Sequence, residues 1–189
     1  MKKSLLLLLL FVILLMSGCS NSTIKYDTFL TEDFLSQENQ EGHIFSANKY
    51  YEEVGRGESR DILINTNSKR FHLIEWVFIA SGGPQDIIIY ENVSYSDTGD
   101  EINITTRNRE LDSLINSTAE LYEEPTITDN GTEIGRDIIA EGRKEAGRTM
   151  VVPYHMILKA NTSYLIRTKN RVGDEEQIVK LVWWEKRVK

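Results

Sequence analysis

Short apolar segments recur along most of the chain and are separated by turn-forming residues. The segments are rich in Ile, Val, Tyr, Phe and Trp, which favour strands, whereas the Gly, Asn, Asp and Ser between them favour turns. No long amphipathic helical pattern interrupts the series after residue 42. We therefore predict an all-β, antiparallel domain of the β-sandwich or jelly-roll type. The predicted strands are 61–66, 70–81, 87–95, 101–106, 119–128, 155–159, 163–169 and 177–185.

The segment 70–81 (RFHLIEWVFIAS) is apolar at both alternating sets of positions. A regular strand would place Trp76 and Phe78 on one face, and Leu73 and Val77 on the other. Strands that are apolar on both faces are usually covered on both sides. We expect this strand to be central in its sheet.

One short pattern occurs twice. The sequence IYE at 89–91 is followed by Gly99, and LYE at 121–123 is followed by Gly131 at the same offset. Two copies do not make a repeat protein. They predict two hairpins of similar build, each a strand followed by a glycine turn.

The segment 132–148 is harder to interpret because glycines are scattered among many charges. We expect a long loop or flap between two strands. A short helix over 138–144 is the alternative.

Residues 1–18 have the parts of a secretory signal peptide: two lysines, an apolar run from 5 to 16, and small residues before Cys19. The run of about a dozen residues is too short to span a bilayer, for which a helix needs roughly 20. The sequence MSGC at 16–19 resembles the bacterial lipobox, where the lipoprotein signal peptidase cleaves. The usual Leu three residues before the Cys is replaced here by Met16.

The resemblance to bacterial lipoproteins implies that Cys19 is the first mature residue and carries a diacylglycerol, often with an added N-acyl chain. Each buried CH₂ of such chains contributes ~0.8 kcal/mol to membrane binding. Ser20 is not the Asp that retains lipoproteins in the inner membrane. The expected location is therefore the outer membrane of a two-membrane host, or otherwise the outer face of the cytoplasmic membrane. The alternative is a secreted protein whose Cys falls at the cleavage site by coincidence.

These features divide the chain into three parts. Residues 1–18 are the predicted signal peptide, 19–41 an acidic tether, and 42–189 the β-sandwich domain. The alternative for the tether is a short helix, because Tyr26 and Phe34 lie eight residues apart with Leu30 midway, on one helical face.

Charge and cysteine content exclude several classes of protein. The chain has 22 basic and 29 acidic residues, whereas binding to nucleic acid requires a basic surface. A single Cys cannot form an internal disulfide or a multi-cysteine zinc or iron–sulfur site. Once acylated, Cys19 is not a thiol nucleophile either. We predict no cofactor and no nucleic-acid partner.

Two acidic features are candidate catalytic groups. The triplet DTG at 97–99 matches an aspartic-protease motif, but that chemistry needs two such carboxylates and no second copy exists. A hairpin turn explains it better. For a glycosidase, which needs two carboxylates, Glu75 is the first candidate; the alternative is a surface position or a pair with an Arg such as Arg107 or Arg109. We predict no catalytic residue.

Histidines and aromatic residues are candidate binding groups. His43, His72 and His155 lie far apart in sequence and lack metal-ligand spacing, so no metal site is predicted. Trp183, Trp184 and Tyr164 are candidates for a platform on which sugar rings stack. Because adjacent strand residues point to opposite faces, only one of the two tryptophans can belong to such a platform. We expect the other in the core.

The order of strands and turns resembles a family, the small β-sandwich structural and decoration proteins of tailed bacteriophages. The segments that carry the resemblance are 61–66 (DILINT), 71–73 (FHL), 81–83 (SGG), 89–91 (IYE), 97–99 (DTG), 108–109 (NR), 121–123 (LYE), 125–128 (PTIT), 130–132 (NGT), 157–167 (ILKANTSYLIR), Asn170 and 183–185 (WWE).

The resemblance implies a non-enzymatic domain and transfers no site residue. The lipobox departs from the family, because virion proteins need no export. Either a phage encodes a lipid-anchored relative, or a cellular lipoprotein has taken over the domain. The expected function is thus a non-catalytic binding or structural lipoprotein of the bacterial envelope, with a carbohydrate-binding or adhesion module and an envelope glycosidase as alternatives. Expected partners are membrane lipid through Cys19 and an envelope polysaccharide or protein, and self-association is open.

Overall fold

The computed structural model describes residues 43–80, 83–108, 116–139, 148–152, 156–173 and 175–187, together with Asn39 and Glu41. Cys19, the predicted signal peptide and nearly all of the predicted tether lie outside these ranges, as do Arg109 and His155. Fourteen strands form the described part: β1 (Ile44–Val54), β2 (Ser59–Thr66), β3 (Lys69–Ala80), β4 (Gln85–Glu91), β5 (Ser94–Asp97), β6 (Asp100–Glu101), β7 (Thr105–Thr106), β8 (Glu120–Glu123), β9 (Thr126–Asp129), β10 (Thr132–Ile139), β11 (Arg148–Val152), β12 (Met156–Leu158), β13 (Thr162–Asn170) and β14 (Glu175–Arg187).

The strands form two antiparallel sheets that pack against each other, so the predicted all-β sandwich is confirmed. The first sheet has the order β11-β3-β14-β1-β7, with β12 also pairing with β3. The second sheet has the order β10-β4-β13-β2-β8-β6. A separate pair, β5 and β9, completes the fold. Within the described residues, no helix is long and apolar enough to cross a membrane.

The core lies between the two sheets and is built from the inward-facing residues of both. Its centre is Trp183, which is fully buried and stacks on Phe71 with ring centroids 4.9 Å apart. Apolar burial of this kind is the main stabilising contribution in a domain of this size. The core includes Phe45, Ile62, Ile64, Leu73, Trp76, Phe78, Ile87, Ile89, Leu121, Tyr164, Ile166 and Leu181.

The sequence pattern missed β1, although this strand is internal in the first sheet, between β14 and β7. It pairs with β14 from Ile44 to Val54 and with β7 on its other side. Its polar residues hide the strand, because Asn48, Lys49 and Glu52 interrupt the apolar alternation. Strand β3 is internal in its sheet, as expected, since it lies between β14 and β11.

Two predicted strands are each divided by a residue with positive φ. The segment 87–95 splits into β4 and β5 at Asn92 (φ 61°), and 119–128 splits into β8 and β9 at Glu124 (φ 53°). Positive φ is incompatible with a continuous strand. The segment 101–106 likewise contains two short strands, β6 and β7, rather than one.

The first half of the segment 132–148 is a strand, β10, and not the expected loop or the start of a helix. It pairs with β4 from Thr132 to Ile139, with a bulge between Glu133 and Gly135. The bulge shifts the alternation by one residue and so hides the strand in the sequence. Residues 140–147 lie outside the described part.

The duplicated IYE and LYE segments form a pseudo-twofold arrangement and not two separate hairpins. The strand β5 that follows the first copy pairs with β9, which follows the second, and Tyr95 faces Ile127 at its centre. Glu101 pairs with Tyr122 of the second copy, and Glu133 pairs with Tyr90 of the first. The last strand of each copy therefore pairs with the first strand of the other copy: β6 pairs with β8, and β10 pairs with β4.

Candidate functional site

A cavity of about 590 Å³ lies where the β7 edge of the first sheet meets the β6–β8 edge of the second. Its apolar lining is Phe45 of β1, Ile104 between β6 and β7, and Ala119 just before β8. A volume of this size falls within the range of small-molecule sites, ~300–1,000 Å³. We call this cavity the edge pocket.

One wall of the edge pocket, residues 116–119, is held by the buried carboxylate of Glu185 on β14. The side chain of Glu185 is 1% exposed. It accepts hydrogen bonds from the hydroxyl of Ser117 (2.5 Å), from the backbone N–H (2.9 Å) and hydroxyl (2.6 Å) of Thr118, and from the N–H of Ala119 (3.3 Å). The indole Nε1 of Trp183 donates a further bond at 3.2 Å. This network ties the pocket wall to the core of the opposite sheet.

The hydrogen bonds also determine the charge state of Glu185. Burial, the largest single effect, raises its pKa, but the bonds from Ser117, Thr118 and Trp183 together outweigh burial and leave the pKa below its ordinary value. Hydrogen bonds to the charged form stabilise it in this way. Lys69 adds a cation 3.7 Å from the carboxylate. Glu185 is therefore an ionised structural group whose bonding capacity is already used.

The other wall is held by backbone and hydroxyl contacts to β1. Thr105 pairs with Ser46, with their hydroxyl oxygens 3.1 Å apart, and the N–H of Arg107 donates to the carbonyl of Ile44 at 2.9 Å. The N–H of Ile102 donates to the carbonyl of Leu121 at 2.8 Å. Both walls are thus fixed by the fold itself.

The polar lining of the pocket includes groups that the fold does not use. The side chains of Glu101, Asn103 and Asn116 are exposed and make no hydrogen bond or ion pair within the described residues. The hydroxyl oxygen of Thr106 is buried and has no partner in the same part of the chain. The carboxylate and amide groups of Glu101, Asn103 and Asn116 are therefore available to a ligand, whereas the Thr106 oxygen is shielded from solvent.

Glu120, the second carboxylate of the pocket, accepts a hydrogen bond from the hydroxyl of Tyr122 at 3.1 Å. Burial raises the pKa of Tyr122, and the hydrogen bond to Glu120 and the charges of Glu120 and Glu101 add to this effect. Because Glu101 lies opposite Tyr122 and Glu120 is two residues from it on the same strand, the two carboxylates are diagonal neighbours on one face.

The acidic residues proposed from the sequence lie outside this pocket. Glu75 on β3 forms an ion pair with Lys180 of β14 at 3.3 Å, and both side chains are about one-third exposed. This is the expected structural alternative, with Lys180 in place of an arginine. Asp97 is the last residue of β5, and its Oδ1 accepts a hydrogen bond from the N–H of Gly99 in the turn that follows, at 3.2 Å.

The candidate aromatic platform is not present at the surface. Trp183, Trp184 and Tyr164 are 0%, 2% and 1% exposed, so none can stack on a sugar ring at the surface. The two tryptophans do face opposite sides of the sheet: Trp183 lies in the core, and Trp184 stacks on His72 at 4.0 Å on the other side.

The histidines do not form a cluster within the described residues, where no group of three or more His, Cys, Asp or Glu side chains is placed to hold a metal ion. His72 contacts Trp184 on β14, and His43 lies before β1 with its Nδ1 3.6 Å from Glu41. The third, His155, falls outside the described part.

Sequence reasoning missed the edge pocket entirely. Apart from Phe45, its lining residues come from 101–106 and 116–120, and the sequence pattern predicts the first of these segments as one strand. The polar residues Asn103, Thr105 and Thr106 near this edge were the available signal. It did not indicate which strand edges come together.

The fold and the pocket define a class, a small all-β sandwich with a polar pocket at one edge. A comparison with protein-family models finds no match, and a search of curated proteins likewise finds no significant similarity.

Proposed function

We propose that this chain is a lipid-anchored, non-catalytic module of the bacterial envelope with a binding or structural role. The anchor is the acyl group on Cys19, which follows the apolar leader in a lipobox-like sequence. The proposed location is the outer membrane of a two-membrane host, or otherwise the outer face of the cytoplasmic membrane. Membrane lipid is the first partner in this proposal, and an envelope polysaccharide or protein is the second.

The observation that carries the binding role is the edge pocket with its fixed walls. Glu185 holds one wall through bonds to residues 117–119, and β1 holds the other. A preformed site loses little conformational entropy when a ligand binds. Such an arrangement favours recognition of a ligand.

An envelope glycosidase is the alternative, since Glu101 and Glu120 share the pocket. Hydrolysis requires a general acid that remains protonated, and enzymes achieve this by apolar burial of one carboxylate. Glu101 and Glu120 are both exposed, and the buried Glu185 is held ionised by its donors. These surroundings favour binding over hydrolysis.

A relationship to phage virion proteins is also part of the proposal. Support comes from the order of strand and turn segments, among them 89–91, 97–99 and 157–167, and from the all-β architecture in which they lie. A phage-encoded lipoprotein and a cellular lipoprotein with the same domain are both compatible with the leader.

Labelled palmitate tests the anchor. The full chain is expressed in a bacterial host as wild type, as Cys19→Ala and as a Ser20→Ala control, with and without globomycin. We expect label on wild type and Ser20→Ala, none on Cys19→Ala, and accumulation of the uncleaved form with globomycin. Label that is independent of Cys19, or absent from all three proteins, would reject the lipid anchor.

A further inference from the structure

We propose that the edge pocket binds a short sugar segment, one or two residues long, that carries no negative charge. The inference rests on the proposed envelope-binding role and names the ligand class for it. Hydrogen bonds from the sugar hydroxyls to Glu101, Asn103 and Asn116 would provide recognition, and an amine-bearing sugar would bind more tightly than a neutral one.

The hydrogen-bonding groups of the pocket match a polyhydroxylated ligand. Glu101 is an acceptor, whereas the amides of Asn103 and Asn116 both donate and accept. Sugar hydroxyls also donate and accept, so they can satisfy this mixed set.

The apolar side of the pocket suits the C–H faces of a sugar. Phe45, Ile104 and Ala119 line the pocket; Phe45 and Ala119 are buried, and Ile104 is partly buried. Ile104 therefore offers the most apolar surface to a sugar, and the contact involves no exposed aromatic ring. The mode of binding accordingly differs from stacking on tryptophan, which the burial of Trp183 and Trp184 excludes.

Charge selects among sugars. The described lining residues include two carboxylates, Glu101 and Glu120, and no Lys, Arg or His. A cleft lined by one sign of charge concentrates ligands of the opposite sign and repels its own. Acidic sugars are therefore disfavoured, and an ammonium group beside Glu101 would form a charge-assisted hydrogen bond.

The pseudo-twofold arrangement supplies a matched control. Glu133 on β10 occupies the position that corresponds to Glu101, because it pairs with Tyr90 as Glu101 pairs with Tyr122. Glu133 is also exposed but forms an ion pair with Arg136 at 2.8 Å and does not line the pocket. Glu133→Gln thus removes an equivalent charge without changing the proposed site.

The test is isothermal titration of the full-length protein in detergent micelles with three probes: the disaccharides of glucosamine, N-acetylglucosamine and galacturonic acid. We expect the glucosamine disaccharide to bind most tightly and the galacturonate at least tenfold more weakly. Glu101→Gln should weaken glucosamine binding roughly tenfold, as expected for loss of a charge-assisted bond. Asn103→Ala should weaken binding of both amine-bearing and neutral probes, and Glu133→Gln should leave both within about twofold.

Three results would overturn the inference. The first is a dissociation constant above about 10 mM for the disaccharides of both glucosamine and N-acetylglucosamine. The second is that the galacturonic acid disaccharide binds as tightly as the glucosamine disaccharide. The third is that Glu101→Gln and Glu133→Gln change the affinity for the glucosamine disaccharide equally. Because the titration uses purified protein, it does not depend on where the chain resides. A failed palmitate experiment with selective sugar binding would reject the anchor alone, and the reverse pattern would reject the sugar site alone.

Discussion

Gly131 packs so closely against the backbone of Glu91 that a Cβ at this position would lie 2.2 Å from the Glu91 carbonyl oxygen. Gly99 has the same relationship to Glu123 of the other copy, with a distance of 2.0 Å. Both glycines have positive φ, 69° and 77°. The two IYE and LYE segments are therefore joined reciprocally, each glycine turn resting on the other segment.

Substitution of Gly131 should be far more damaging than substitution of Gly57. Gly57 also has positive φ (81°), but a Cβ there would meet no atom within 4 Å, so Gly57→Ala loses only conformational preference, about 1 kcal/mol. Gly131→Ala adds a backbone clash and should cost at least about 3 kcal/mol. Urea denaturation of both variants provides the comparison. Equal losses of unfolding free energy in Gly57→Ala and Gly131→Ala would show that the close packing at Gly131 is absent in solution.

Loss of the Glu185 carboxylate should destabilise the domain and loosen the wall of the edge pocket. We expect Glu185→Gln to lower the free energy of unfolding by about 2–4 kcal/mol, since a buried charge with several donors is removed. The exposed Glu52→Gln is the control, with a change within about 0.5 kcal/mol. Urea denaturation at neutral pH measures both.

The destabilisation caused by Glu185→Gln should depend on pH in the acid range. The pKa of folded Glu185 lies below the ordinary value of 4.5, so its stabilisation is complete above that value and is lost as the pH falls through the folded pKa. The difference in unfolding free energy between wild type and Glu185→Gln should therefore shrink below pH 4.5. A constant difference across this range would contradict the role assigned to the carboxylate.

The stability that the Tyr164 hydroxyl contributes should depend on pH in the alkaline range. Its hydroxyl accepts a hydrogen bond from the N–H of Lys159 at 2.8 Å and donates to Glu91 at 3.0 Å. Burial first, and then the bond to Glu91, raises the pKa of Tyr164 from 10.0 to about 12. Because the folded pKa is raised, the stabilisation is complete below pH 10.0 and is lost as the pH rises towards 12.

The variant Tyr164→Phe isolates this contribution. It should cost about 1–2 kcal/mol at neutral pH, and its difference from wild type should narrow between pH 10.0 and 12. The other tyrosines titrate in both proteins and cancel in the comparison. Thermal or urea denaturation at both pH values measures the effect, and a difference that widens with pH would contradict it.

Burial of the tryptophans is directly measurable. Trp76, Trp183 and Trp184 are at most 2% exposed. We expect blue-shifted fluorescence that iodide barely quenches, and no quenching change when sugar is added. Strong iodide quenching of part of the tryptophan emission would show that at least one indole is exposed and available as a binding platform.

Strand β3 illustrates what the sequence could and could not predict. The apolar segment correctly indicated an internal strand, since β3 lies between β14 and β11. A regular alternation, however, put Leu73 on the face opposite Trp76, whereas both belong to the core. The pairing with β14 shifts between Val182 and Trp183, so Ile74 is an extra residue and Leu73 moves to the core face. Such a bulge depends on the partner strand and leaves no clear mark in the sequence.

The duplicated segments show a similar limit. Their equal spacing to Gly99 and Gly131 was visible, and both glycines do form turns. Local pattern favoured pairing within each copy, but the chain pairs β5 with β9 between copies. The close contacts of Gly99 with Glu123 and of Gly131 with Glu91 also join the two copies, and they are not visible in the local sequence pattern.

The edge pocket was beyond sequence reasoning for a related reason. Glu185 was visible only as the end of an apolar strand, and Ser117 and Thr118 only as polar loop residues. Their hydrogen bonds join positions more than 60 residues apart along the chain. Long-range contacts of this kind follow from the packing of the two sheets and not from local pattern.

Intact-mass spectrometry of the full-length protein, isolated from bacterial membranes, tests the central claim most directly. The account predicts a chain that begins at Cys19 and carries the added mass of diacylglycerol, with or without a further acyl chain. A chain with a free thiol at Cys19, or one that still retains residues 1–18 in untreated cells, would contradict it.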